Sequence, residues 1–248
     1  MQMKSVEKTS APSRKEMQRS ATYREINGIA RSLLVQGGSN AVTINAIARR
    51  MGVSGPALYR YYPSQAALIE ALRAEFFSEL IAFMRKAAAQ PRADTPARRL
   101  NAICRALRRW ALDHSAEFGW LFANPVAPPG EALSPPDADQ SAHSAFGEVF
   151  LEQVAAIWHT QRFPIPNLDD MPDAQVKQLI AFSERIGHLL PPDAAHVFLK
   201  CWIRLYGHLC MEIFRQITFA YTDMEPSFEE CLSDLCTLLD VPYEPPAT

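Results

Sequence analysis

No unbroken run of about 18 apolar residues occurs in the 248-residue chain, and its N-terminus is polar, without an apolar stretch of the secretory kind. Neither membrane spanning nor secretion is therefore indicated. Short Val/Ile/Thr alternations and hairpin-turn pairs are also missing, which leaves no strand signal to compete with helix. The five cysteines (Cys104, Cys201, Cys210, Cys231, Cys236) are odd in number and none forms a CxxC pair. That pattern reads as reduced, mostly buried thiols in a cytoplasmic protein, not as a disulfide frame or a zinc site. HExxH, P-loop, GxGxxG, paired-carboxylate and Ser/His/Asp patterns are absent as well, so no catalytic residue, metal ligand or cofactor is assigned. There is no internal repeat.

What is present is enough apolar material for a core, 48% of the chain, and an uneven distribution of charge. Residues 1–65 carry ten Lys/Arg against three Asp/Glu, whereas the remainder carries fifteen against twenty-four. A basic N-terminal quarter on an acidic body implies that only the first part meets a polyanion. Within it, residues 1–19 hold Lys4, Lys8, Arg14, Lys15 and Arg19 with almost nothing to bury. They read as a basic disordered arm, either attracted to DNA phosphates or simply solvated.

From Ala21 to Gln36, Ile26, Ile29, Ala30, Leu33 and Leu34 recur at helical spacing until Gly37-Gly38 stops the helix. Thr43 can cap a second helix with Ile44, Ile47 and Ala48 inward. Gly52 supplies a tight turn that a Cβ would resist. Ser54 is then expected to cap a third helix, with Pro56 early enough to be harmless. Leu58 and Tyr61 point inward while Gly55, Ala57, Tyr59 and Arg60 stay outward. Two short helices broken at a glycine form the pattern of a helix-turn-helix, over residues 20–65.

The body, residues 66–248, reads as helices throughout. A long one runs from Pro63 or Ser64 to about Ala89 with Leu68, Ile69, Leu72, Phe76, Leu80 and Phe83 inward. Pro91 ends it, and Thr95-Pro96 opens the next, whose Arg98, Arg99, Arg105, Arg108 and Arg109 form either a second DNA surface or a face paired with the acidic body. Proline-rich connections follow at Asn124 to Gln140 and at Phe163 to Pro172. Between them a helix resumes at about Ser141. Beyond them lie helices at Ala174 to Leu190, capped by Asp173, and at Ala194 to about Ala220. A final helix opens on a Ser227/Glu230 capping box.

Because the last two helices are apolar on nearly every side, Cys201, Leu205, Leu209, Phe228, Leu232 and Leu235 are expected at a homodimer interface; the alternative is that they close the monomer's core. Trp110, His114, Phe118, Phe122, Phe150, Trp158, Trp202 and Tyr206 are candidates for an aromatic ligand pocket, with a filled core again the alternative.

Taken together, Tyr23-Arg24-Glu25-Ile26, Ala30, Thr43-Ile44, Ile47-Ala48, Gly52-Val53-Ser54, the run from Ala57 to Ser64 and Ala67-Leu68 resemble the TetR-type transcriptional regulators over residues 20–72. Trp202 with Gly207-His208 resembles a signature of one C-terminal subgroup. The resemblance implies an all-α homodimer whose head reads a palindromic double-stranded DNA operator, whose body takes a small-molecule effector, and whose role is most often repression. By position, Thr43, Ser54, Gly55, Pro56, Ala57, Tyr59 and Tyr61 match DNA-contacting residues of that family. Tyr59 and Thr43 would meet phosphates, and Gly55, Pro56 and Ala57 base edges. Since Gly55 and Ala57 cannot make bidentate contacts, base reading falls to Ser54, Arg60, Tyr61 and DNA shape. One departure stands out: Gln65 occupies the position where the family usually carries a phosphate-binding lysine. Effector binding is expected to act through the long helix that leaves the head and enters the body. The competing readings are a DNA binder with a filled core and no effector, and an enzyme built in a helical bundle.

Overall fold

A computed structural model of the protein describes residues 13–122 and 138–246, with side chains in the helix that begins at Ala138 described from Ala145 onward. Ten α-helices and no strand occur among the described residues. None of those helices is long and apolar enough to cross a membrane. The chain divides into two compact units, Met1–Leu72 and Arg73–Thr248.

The first unit opens with α1 (Arg14–Gly37), which starts well before Ala21. A capping box explains the early start: the Ser13 hydroxyl accepts from the Glu16 amide at 3.3 Å, and the Glu16 carboxylate accepts from the Ser13 amide at 2.7 Å. Arg14, Lys15 and Arg19 are thus helical and not part of a disordered arm, whose first twelve residues lie outside the described ones. Ile26, Ala30, Leu33 and Leu34 form the inward stripe of α1. Against it pack α2 (Ile44–Met51), through Ile44, Ile47 and Ala48, and the one-turn α3 (Gly55–Leu58), through Leu58.

In the second unit α4 (Gln65–Ala88), which begins in the first, buries Phe76, Phe77, Leu80 and Met84. Phe83 is 41% exposed, since the buried row steps by four from Phe76 through Leu80 to Met84. Helix α5 (Pro96–Asp113) is capped by Thr95, whose hydroxyl accepts from the Arg98 amide at 3.2 Å. It packs on α7 (Ala138–Gln161), α9 (Pro192–Ile213) and α10 (Glu225–Leu238), with α6 (Ser115–Phe122) following it directly and α8 (Asp173–Arg185) lying along α9. The arginine face of α5 turns to acids: Arg98 to Asp94 and Glu244, Arg105 to Glu229, Arg108 to Glu212, and Arg109 to Asp113. These cations are occupied within the body.

Several helix ends differ from the sequence-based expectation. Helix α8 stops at Arg185, not Leu190, because Gly187 enters the left-handed region (φ 65°) and the His188 amide donates back to the Ser183 carbonyl at 2.8 Å. Helix α9 stops at Ile213 in the same way, with Arg215 at φ 55° and the Gln216 amide donating to Met211 at 2.9 Å. Helix α10 starts at Glu225, so Ser227 lies inside it and bonds His208 Nε2 at 3.1 Å instead of capping. Asp173 is the first residue of α8, behind Pro172 at the cap. The first proline-rich connection lies outside the described residues up to residue 137. All five cysteines are free thiols. Burial pushes Cys201 up to about 12 and Cys231 to about 11.

Candidate nucleic-acid interface

The α2–α3 pair is held by its turn. Thr43 caps α2, its hydroxyl accepting from the Ala46 amide at 3.1 Å. Gly52 takes the left-handed conformation (φ 69°, ψ 25°) that ends α2, and the Val53 amide donates back to Ala48 at 3.0 Å. Ser54 has the extended backbone of a cap residue, but its side chain makes no capping hydrogen bond. Its hydroxyl is therefore left exposed. A Cβ on Gly55 would lie 3.0 Å from Asn45 Oδ1, a tight contact that the exposed Asn45 side chain would have to relieve by shifting.

Thr43, Ser54, Pro56, Tyr59 and Arg60 are exposed, and Gly55, Ala57 and Tyr61 are half-buried. All eight predicted DNA-facing residues fall within this one motif. Leu58 points inward as expected, but the second anchor is Tyr62 (7% exposed), not Tyr61. The chain keeps a helical turn beyond α3, the Tyr62 amide donating to the Leu58 carbonyl at 3.0 Å, and the inward position is the one four residues after Leu58 instead of three. The Tyr62 hydroxyl donates to Asn27 Oδ1 at 2.9 Å, and Tyr23 meets Tyr61 and Tyr62 edge-on at 5.3 and 5.5 Å. Arg50 ties α2 to α1 through Ser32 and Gln36, at 3.0 and 2.6 Å.

Gln65 has a structural task that sequence reading missed. Its Oε1 accepts from the Ile44 amide at 3.0 Å, and its Nε2 donates to the Val42 carbonyl at 2.5 Å. Both ends of the amide thereby close the first turn of α2, where helical N–H groups otherwise lack partners. The side chain of Gln65 braces the motif and is not free to reach outward.

In the body the predicted pocket residues separate into three groups. Phe118, Phe122, Phe150, Trp202 and Tyr206 join through Phe146 into one packed cluster, with neighbouring centroids 4.6 to 5.6 Å apart along most of its edges. Their rings pack against one another, and Trp202 also borders a groove. Trp110 and His114 pair at 5.0 Å beside a surface cleft of about 280 Å³ that Glu79, Phe83 and Lys86 also line. Trp158 is elsewhere, against Phe163 at 4.9 Å and under Arg162. From the edge of the cluster, Trp202 continues with Phe198 and Phe182 as a ladder of roughly parallel rings along that groove, of about 660 Å³, between α7, α8 and α9.

The six residues expected at a dimer interface are covered by their own chain. Cys201, Leu205, Leu209, Phe228, Leu232 and Leu235 are each 6% exposed or less, packed where α9 and α10 meet each other and α5. They are core residues of one chain, so they have no surface left to offer a second copy. The exposed apolar side chains nearby are others, among them Ile203 and Met211 of α9 and Ile180 of α8.

The sequence profile described as "Tetracyclin repressor-like, C-terminal domain" matches residues 100–235, and that described as "Bacterial regulatory proteins, tetR family" matches residues 29–72. The chain is 27% identical over 191 residues to the HTH-type transcriptional regulator Rv1816 of Mycobacterium tuberculosis, covering 76% of this chain and 79% of that protein. It is 31% identical to the crystal structure of SCO4313, assigned as a regulatory protein, with a TM-score of 0.68 over 91% of this chain and 98% of that one. RolR, solved in complex with resorcinol, shares the fold at 15% identity, with a TM-score of 0.51 over 92% and 98% of the two chains. The matched profiles and Rv1816 are described as regulators of transcription, not as enzymes.

Proposed function

The chain belongs to the TetR family of bacterial transcriptional regulators, and on that premise we propose that it is a repressor that binds a palindromic operator as a homodimer and is released by a small, largely apolar or aromatic effector. The observation that carries the DNA-reading part is the outward set Thr43, Ser54, Pro56, Tyr59 and Arg60, mounted on a motif fixed from behind by Leu58 and Tyr62. Tyr59 and Thr43 serve phosphates. Ser54 and Tyr61 serve base edges, with thymine methyls meeting Pro56 and Ala57, while Arg60 stands outward at the margin of the set.

For the effector, the groove beside the Phe182–Phe198–Trp202 ladder offers a volume within the usual range for small ligands, apolar walls, and Arg185 among its lining residues. RolR, of the same fold, holds an aromatic diol, which supports this class of ligand. Helix α4 is the proposed lever, since it begins at Gln65 in the head and runs on to Ala88 in the body. A ligand that prefers the released state 100-fold contributes about 2.7 kcal/mol to that state. In this proposal a second copy meets the exposed face of α8 and α9 at Ile180, Ile203 and Met211.

The test begins with duplexes selected from the host's genomic DNA. Tyr59→Ala should weaken binding to them while melting stays cooperative and unchanged, and wild-type affinity in that variant refutes the assignment. Titrating the bound complex with aromatic metabolites checks release; unchanged affinity at saturation removes the effector. The packed Phe118–Phe122–Phe146 cluster favours a second reading, a DNA binder without effector, for which no metabolite would shift the melting temperature.

A further inference from the structure

A second surface of the head is strongly charged, and most of it takes no part in the roles above. Arg14, Lys15, Gln18 and Arg19 of the first turns of α1, with Arg60 and Tyr61 beyond α3, line a groove of about 680 Å³. Four cations face it and no carboxylate lines it. Among the described residues no ion pair engages any of the four. Glu16, the acid nearest in sequence, is turned to the Ser13 amide in the capping box. Arg19 is held in place: its guanidinium donates to the Tyr23 hydroxyl at 3.2 Å, and that hydroxyl donates to the Tyr61 carbonyl at 3.4 Å. One wall of the groove is thus tied to the aromatic anchor of the reading motif. Four like charges gathered without counter-charge repel one another, and the cost falls when an anion with regularly spaced charges lies between them. Gln65, meanwhile, brings no cation to the start of α4 and spends its amide inside the fold.

We propose that this groove seats the DNA phosphate backbone and supplies a clamp separate from the α2–α3 reading surface, carried by Arg14, Lys15, Arg19 and Arg60. The inference rests on the reading of the head as a DNA binder. It assigns affinity, not sequence preference, to the start of α1, because phosphate contacts carry no base information.

The experiment uses the full chain and measures fluorescence anisotropy of two labelled duplexes, one selected from the host genome and one of mixed sequence about 30 base pairs long, between about 50 and 200 mM NaCl. In Arg14→Gln/Lys15→Gln/Arg60→Gln the slope of log K against log salt should become shallower by about 0.9 per lost contact, or about 2.7 for each bound chain and about 5.4 for a bound homodimer. Affinity near 0.1 M salt should fall by about one order of magnitude per contact. Both duplexes should weaken by the same factor. The charge-keeping variant Arg14→Lys/Arg60→Lys should retain the wild-type slope, which separates charge from local packing. An unchanged slope in the triple Gln variant overturns the clamp while leaving the DNA-binding reading intact. Loss confined to the selected duplex overturns it too, since that would make the groove a base reader. Failure of the wild type to bind either duplex overturns the reading on which the inference rests.

Discussion

Glu212→Ala should destabilise the body far more than an exposed ion pair would. Arg108 grips Glu212 with two guanidinium nitrogens, Nε at 2.9 Å and Nη2 at 2.8 Å, and the side chains are 14% and 7% exposed. The guanidinium also lies 5.1 Å over the Phe228 ring. Removing one partner of a sealed pair costs about 3–5 kcal/mol, mostly because the other charge stays behind. Two features reduce that figure here. Arg108 keeps some contact with solvent, and Glu225, 62% exposed and 3.8 Å away, can swing toward it. We therefore expect about 2–3 kcal/mol for Glu212→Ala and a similar loss for Arg108→Met. The double variant Arg108→Met/Glu212→Leu should return to within about 1 kcal/mol of wild type, as apolar packing replaces a pair whose desolvation is costly. The assay is urea unfolding followed by tryptophan fluorescence. All four tryptophans lie in the second unit, so the signal reports the body alone. The single variants should lower the midpoint by about 1 M. A loss below about 0.5 kcal/mol, as for a surface pair, or a double variant as unstable as the sum of its singles, refutes the reasoning.

Two further outcomes follow from the brace and from the second ion pair. Gln65→Ala leaves the Ile44 amide without its acceptor, so its hydrogen exchange should quicken by about tenfold, for a local loss of about 1–2 kcal/mol; unchanged protection would show that Gln65 holds nothing. Burial pushes the Glu229 carboxyl up, but hydrogen bonds from Arg105 (2.6 Å) and Tyr243 (2.7 Å) outweigh it and hold the group below its ordinary value of 4.5. A depressed carboxylate contributes stability that is fully present above about pH 4.5 and is lost as pH falls through the folded value. The gap between wild type and Glu229→Gln, about 1–2 kcal/mol at neutral pH, should accordingly close on acidification, and a gap constant from pH 7 to about 3 contradicts the assignment.

Local signals were legible where one residue type answers one backbone need. Thr43 as a cap, Gly52 in the left-handed turn and Leu58 as an anchor each follow from such a need, and the structure has all three. Counting failed where i+3 and i+4 both satisfy helical spacing, as at Tyr61 and Tyr62 after Leu58. Gln65 was read as a missing charge because its partners stand 21 and 23 residues away, and no local pattern announces them. The all-round apolarity of α9 was legible, but its cause was not: the helix is covered by α5, α7, α8 and α10 of the same chain. The aromatic residues were visible as a set, yet which rings touch depends on helix crossings that composition does not encode. Trp158 consequently falls outside the cluster.

The seam between α9 and α10 also fixes the order of events in the protein's life. Its apolar side chains are satisfied within a single chain, so this seam is covered without a second copy. Joining a second copy would then be a separate bimolecular step, governed by copy number, unlike chains that have no stable folded form until they associate. Under the proposed pairing, occupancy of a two-fold DNA site would rise more steeply than protein concentration wherever single chains outnumber pairs.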